Sequence, residues 1–284
     1  MELLLDILLD TAIDTVKLIP FLFLAYLAME YLETKAGEKT ISMLLHTGKK
    51  GPVIGGLLGI LPQCGFSAAA SNLYSGGVIT VGTLLAVYLS TSDEMLPILL
   101  SEQAPADKIL KILAAKVFIG IIAGILVDMG VRILHKGEQR GLHIHELCER
   151  EHCHCEEGSI FYSAFTHSLQ ITAFIFIISL ALNGLVEVIG METLVRTISS
   201  YPLISVLLTG LVGLIPNCAS SVTITSLYLD GILSTGSMLA GLLSCAGIGL
   251  AVLFRSNRHL KNNLLILGSL YGISVLCGMI VELF

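Results

Sequence analysis

Residues 56–90 read GLLGILPQCGFSAAASNLYSGGVITVGTLLAVYLS, and residues 210–244 read GLVGLIPNCASSVTITSLYLDGILSTGSMLAGLLS. The two stretches align without a gap at an offset of 154, with identity at Gly56/Gly210, Pro62/Pro216, Cys64/Cys218, Ser67/Ser221, Tyr74/Tyr228, Gly77/Gly231, Gly82/Gly236 and Ser90/Ser244. Shared Pro, Cys and Gly in one register mark an internal duplication. The same offset brings Gly124 onto Gly278 and Asp128 onto Glu282. The chain therefore divides into a first repeat over 1–134, a polar linker over 135–159 and a second repeat over 160–284.

Composition sets the class. Of 284 residues 54% are hydrophobic and only 13% charged, with mean hydropathy +0.86, where a soluble domain carries about a quarter charged residues. A soluble enzyme, a nucleic-acid binder and a disordered chain are excluded, and an all-α polytopic membrane protein is expected. The acidic start Met1-Glu2-Leu3-Leu4-Leu5-Asp6 lacks a positive n-region, so no cleavable signal peptide is expected and the cell (inner) membrane is the expected location. Seven Cys and eight His in such a chain argue against a disulfide scaffold.

Each repeat holds four apolar blocks, in the first about 12–33, 51–75, 77–104 and 107–134. A helix needs about 20 apolar residues to cross a bilayer, so blocks one, two and four can span. The third is interrupted at Ser90-Thr91-Ser92-Asp93-Glu94, and its counterpart at Ser244-Cys245-Ala246-Gly247. This predicts a re-entrant hairpin in the third block, its tip inside the membrane and enclosed by protein or water. Three crossings plus a hairpin is an odd count, so the second repeat enters inverted and the chain has ten helical segments. In that arrangement Lys35, Lys39, Lys49, Lys50, Arg132, Lys136, Arg140, Arg150, Arg255, Arg258 and Lys261 share the cytoplasmic side, while Lys108, Lys111 and Arg196 lie outside, in keeping with the positive-inside rule. Both termini then face outward. Charge alone does not separate this from eight full crossings; the broken third block does. Inverted repeats with broken helices are the architecture of secondary transporters, with the site at mid-membrane.

Three constellations could carry chemistry. In Pro-Gln-Cys-Gly-Phe-Ser (62–67) and Pro-Asn-Cys-Ala-Ser-Ser (216–221) the proline breaks the helix. Gln63, Asn217, Ser67 and Ser221 offer oxygens, and Cys64 and Cys218 offer soft sulfur that selects thiophilic ions; the plainer alternative is that these are small packing residues. In the interrupted block, Asp93 and Glu94 are carboxylates at membrane depth, which points to proton relay or cation binding. Lys116 either pairs with one of them or attracts an anionic substrate. Glu30, Asp128 and Glu187 lie near span ends, where they are expected to snorkel to the interface.

The linker HKGEQRGLHIHELCEREHCHCEE (135–157) gathers His143, His145, Cys148, His152, Cys153, His154 and Cys155. Imidazole and thiolate at that density read as transition-metal binding. Their spacing matches no standard zinc finger, which favours a flexible chelating tail over a rigid structural site.

With the duplicated PQCGFS and PNCASS motifs, the LYSGG and LYLDG turns, the YLSTSDE tip and the His/Cys-rich linker, nearly the whole chain resembles the ten-helix heavy-metal exporters, often labelled arsenic efflux proteins or manganese transporters. It is distantly similar to the organoarsenical permeases, whose Pro-x-Cys-Ser-Cys motif carries a second thiol where this chain has Phe66 or Ser220. The resemblance implies efflux of a metal or metalloid. The expectation is a secondary transporter, not an enzyme: Gln63, Cys64, Ser67, Asn217, Cys218 and Ser221 line the site, and Asp93, Glu94 and Lys116 couple it. No cofactor is required. The partners are the ion, the bilayer and a second copy of the chain, with no nucleic acid. An organic-anion or organoarsenical permease with a metal-responsive linker is the alternative. A hydrolase with a Cys nucleophile is a third reading, weakened because His167 is the only His near a span to serve as its base.

Overall fold

A computed structural model describes residues 50–60, 64–92, 95–134 and 202–283, together with scattered helical residues between 8 and 27 and between 161 and 180; of Cys64 and Cys218 it describes the backbone alone. Gln63, Asp93, Glu94 and the linker residues His143, His145, Cys148, His152, Cys153, His154 and Cys155 lie outside the described residues. Among the described residues every regular element is a helix.

Ten of these helices have defined bounds: α1 (Gly51–Leu58), α2 (Cys64–Ser75), α3 (Val81–Ser90), α4 (Met95–Ser101), α5 (Ala106–Leu134), α6 (Pro202–Gly213), α7 (Cys218–Leu229), α8 (Thr235–Ser244), α9 (Gly249–Ser256) and α10 (Leu260–Leu283). The starts of α7, α8, α9 and α10 fall 154 residues after those of α2, α3, α4 and α5, so the duplication read from letters recurs in the helix boundaries. The chemistry at those boundaries recurs too. Gly77 and Gly231 adopt φ of 77° and 72°, and the following amides reach back, Val78 to Leu73 O and Ile232 to Leu227 O, each at 2.9 Å or less. This is a left-handed helix stop that glycine adopts without steric cost. The next helices open on hydroxyl caps: Thr80 accepts from the Thr83 amide and Ser234 from the Ser237 amide, each satisfying one of the orphan donors of a helix start.

Small residues then set which helices touch. A Cβ on Gly82 would stand 2.1 Å from Gly124 O, and one on Gly236 would stand 2.6 Å from Gly278 O. Backbone-to-backbone approach of this kind is how helices associate where lipid removes the hydrophobic drive. It joins α3 to α5 and α8 to α10. Gly120 lies against Ala86 O and Asp128 against the start of α3, so α5 runs antiparallel to α3. Along α1, Gly51 and Gly55 meet Thr83 while Gly59 meets Val87 O and Ser90, so α1 and α3 run in the same direction and end together.

That register relocates the returning segment. The tight turn after Ser75 makes α2 antiparallel to α3, hence antiparallel to α1, so the second block enters and comes back. The third block does not return. Its arms α3 and α4 do not pack along one another, and α4 leads within a few residues to the start of α5. Lys116 of α5 is bonded to Thr91, at the end of α3. Ala106 therefore lies about 15 Å beyond that level, at 1.5 Å per residue. Among the described helices the chain thus reverses between α1 and α2, and α3 with α4 continues in one direction past Thr91, so the reversal expected at 90–94 does not occur there. Hydropathy could not separate the two blocks, because both are apolar and interrupted. The difference lies in Gly51, Gly55 and Gly59, which let α1 tuck against α3.

Four stretches are long and apolar enough to cross a membrane: Val81–Leu100, Ala106–Ile133, Thr235–Ser256 and Leu260–Leu283. The two interrupted ones are 75% and 89% buried and the two continuous ones 33% and 28%, so the broken helices form the core and α5 and α10 its wall. Phe118, Ile122, Ile125, Met129 and Ile133 project from one face of α5, a stripe suited to acyl chains. The chain is a helical, multi-pass membrane protein.

Candidate functional site

The helix ends converge at one level inside the core. Ser92 Oγ donates to Ile60 O at 2.6 Å, which ties the interruption after α3 to that after α1. Lys116 reaches the same place from α5. It is 1% exposed, and its Nζ donates to Thr91 O and, at 2.8 Å, to Leu242 O in the last turn of α8. A buried ammonium is costly inside a membrane. Here it sits at the carbonyl-rich C-terminal ends of α3 and α8, where the helix dipoles favour positive charge. One side chain thereby joins the interrupted crossings of the two halves.

A second polar cluster lies where α2 meets α9. Ser71 Oγ is 2.7 Å from Tyr88 Oη and donates to Ser67 O or Gly249 O, at 2.7 and 2.8 Å; Tyr88 Oη donates to Gly249 O at 3.1 Å. Ser67, Ser71 and Tyr88 are wholly buried. Gly249 has no room for a side chain, since a Cβ there would stand 2.8 Å from Ser67 Cβ. Farther along, Ser256 Oγ donates to Asn72 Oδ1 at 2.8 Å. The second half repeats the pattern with its partners exchanged: α7 packs on α4, through Ile224 and Leu227 against Met95 and Leu99. Each half's motif helix is thus seated on the interrupted crossing of the other half.

Of the residues expected at the site, Ser67, Asn217 and Ser221 are buried, and Cys64 and Cys218 are the first residues of α2 and α7. The Asn217 amide donates to Ile215 O at 2.7 Å, and Ser221 O accepts from Thr225 Oγ1 at 2.7 Å. The helices α2 and α7 are not packed side by side; Ser67 of α2 meets Gly249 of α9, and α7 packs on α4. Among the described residues no three His, Cys, Asp or Glu side chains form a metal-binding group. Asn72 Nδ2 and Ser244 Oγ are buried with no hydrogen-bond partner among the described residues.

Sequence reading passed over Ser71 and Tyr88. The signal was the repeat itself, because Tyr88 stands where the second half has Leu242, a hydroxyl gained in one copy. Asp128 does not snorkel. It is 8% exposed, accepts from Thr80 Oγ1 at 2.6 Å and from the Gly82 amide at 2.9 Å, and so caps α3. Glu282 accepts from Ser234 Oγ at 2.5 Å at the equivalent place.

No curated protein and no solved structure matches the chain. A family model described as "Putative, 10TM heavy-metal exporter" matches residues 1–159, more than half of the 284. With an apolar helical core built around buried helix ends and the buried ammonium of Lys116, the chain belongs to this family of membrane-spanning heavy-metal exporters.

Proposed function

We propose that the protein is a secondary-active transporter of two inverted repeats, exporting a heavy-metal or metalloid ion by alternating access around the junction of the broken helices. The observation that carries the reading is Lys116, whose ammonium bonds carbonyls of both interrupted crossings at one buried point. Inversion is supported by the exchanged pairing of α2 with α9 and α4 with α7. Gly249 lies against Ser67 and Ser256 against Asn72, so α9 runs in the direction of α2 and α8 opposite to α3. Lys50, Arg132, Arg255, Arg258 and Lys261 then share one end and Lys108 and Lys111 the other, and the positive-inside rule puts the first group and the linker in the cytoplasm.

In this reading Gln63, Cys64, Ser67, Asn217, Cys218 and Ser221 contact the cargo, and Asp93, Glu94 and Lys116 couple its movement to protons. The linker captures ions at the cytoplasmic mouth through His143, His145, Cys148, His152, Cys153, His154 and Cys155. Everted vesicles loaded with single metals test it. Cys64→Ser or Cys218→Ser abolishes uptake without loss of folded protein, and full uptake by both single variants and the double would end the thiol role.

The buried Lys116 favours one second reading, an organic-anion or organoarsenical carrier whose linker senses metal. Calorimetry with manganese, zinc, cadmium and arsenite, with and without residues 140–157, separates the two. Heat that survives the deletion but is lost in Cys64→Ser/Cys218→Ser supports a metal exporter. Heat lost with the linker alone, with thermal stabilisation by carboxylates, supports the anion carrier.

A further inference from the structure

We propose that the carbonyl cradle around Lys116 Nζ is a monovalent-cation site, and that the Lys116 ammonium is its built-in occupant, standing in for a dissociable alkali or ammonium ion. The role in transport rests on the export reading above; the site itself does not. Leu242 lies in the last turn of α8, where carbonyls have no intrahelical partner, and the chain leaves that helix at Cys245 in extended backbone. Thr91, just past α3, has φ −54° and ψ 127°, which turns its carbonyl out of the helical ladder. The two breaks thus release carbonyls from opposite halves at one point. Lys116 Nζ donates to both, to Leu242 O at 2.8 Å. Unwound carbonyls and half-helix C-termini are the groups that hold monovalent cations inside membrane carriers. Neutral oxygens of this kind replace the hydration shell of an alkali ion, whereas a hard divalent ion takes carboxylates as well.

The occupant is enclosed and large. Lys116 is 1% exposed and ranks among the largest fully buried side chains, so truncation to alanine would empty both the cradle and the space of its stem. Lys116→Met instead keeps the volume and removes the charge. The duplication did not copy the ammonium, since Leu270 stands at the equivalent place and is wholly buried. With a cation covalently fixed at the junction, the carrier has no need of sodium or potassium there. Dependence on such an ion appears only when the Lys116 side chain is removed.

The probes are ammonium, methylammonium and potassium chlorides, with choline chloride at equal ionic strength as the control. For full-length Lys116→Ala in detergent, the unfolding temperature should rise saturably, by a few degrees, in the first three salts over choline. Wild type and Lys116→Met should show no such selective rise. If the alanine variant is not recovered, Lys116→Ser is read in the same way, because its hydroxyl can bond its own helix. In everted vesicles, metal uptake by the truncated variant should return with potassium, while wild-type uptake stays indifferent to it; stabilisation without that return would overturn the role in transport. A selective rise in wild type or in Lys116→Met, no rise in a folded truncation, or failure of both truncations to fold in any of the salts would overturn the site. Wild-type metal uptake alongside such a failure leaves the export reading standing. Selective stabilisation of the truncation, in a protein whose wild type takes up no metal, leaves the site standing and ends the export reading.

Discussion

At the scale of single residues the fold rests on places where a side chain is absent. Gly82 and Gly124 present each other's carbonyls at 2.1 and 2.4 Å from any added Cβ, so the crossing of α3 on α5 has no slack. Gly82→Val should cost about 1–3 kcal/mol by overpacking, read as a lowered unfolding temperature in detergent. Gly130, with nothing within 4 Å of its Cβ position, is the control: Gly130→Ala should be neutral or stabilising by up to about 1 kcal/mol through helix propensity. Gln103 is the converse case, a non-glycine residue at φ 53° that ends α4. Left-handed backbone costs a side-chain-bearing residue about 1–2 kcal/mol. Gln103→Gly should therefore raise the unfolding temperature, and a drop would show that the Gln side chain compensates.

At the scale of elements, each half solves the same problem in the same way. An interrupted crossing begins on a hydroxyl cap, and an acid from the neighbouring continuous helix closes it: Thr80 with Asp128, and Ser234 with Glu282. The carboxylate sits at the positive end of the helix dipole and satisfies the Gly82 amide that the cap leaves over. Asp128→Ala should destabilise the fold by about 1–2 kcal/mol through loss of this cap, and Asp128→Asn by less, since the amide oxygen still accepts. Equal unfolding temperatures for the two variants would show that charge, not hydrogen bonding, stabilises α3. The elements also explain why the hairpin was misplaced in the sequence. Pro62 and Asp93-Glu94 both announce a break, and nothing local says on which side of the break the chain continues. Only the glycine face that lays α1 along α3 decides it.

At the scale of the whole molecule, Lys116 is where the two halves share one polar group. Its counterpart by the repeat is Leu270, which is wholly buried, so the two halves cannot respond alike to charge at the junction. Lys116→Met leaves the carbonyls of Thr91 and Leu242 without their donor at a buried site. A transport loss there with Lys116→Arg largely active would identify the positive charge as the working feature, and loss in both would identify the fit of a single ammonium. Either result is read against the amount of folded protein recovered, because an unpaired buried carbonyl itself costs about 1–3 kcal/mol.

The sequence by itself determined the membrane class, the duplication and the chemical inventory. Hydropathy, period and residue type are local properties that survive without a partner, and Pro62/Pro216, Gly77/Gly231 and Asp128/Glu282 carry them at fixed spacing. It also singled out Lys116, because an ammonium inside an apolar span is conspicuous anywhere. Only the tertiary structure decided that block two returns and block three crosses, that Asp128 caps a helix instead of reaching the interface, and that each motif helix sits on the opposite half. Those facts depend on which backbones can approach closely and on the order in which helices exchange partners. Glycine contacts and carbonyl acceptors set both, and they join residues distant in the chain, from Gly51 with Thr83 and Gly82 with Gly124 to the bonds from Lys116 to Leu242 and from Ser71 to Gly249.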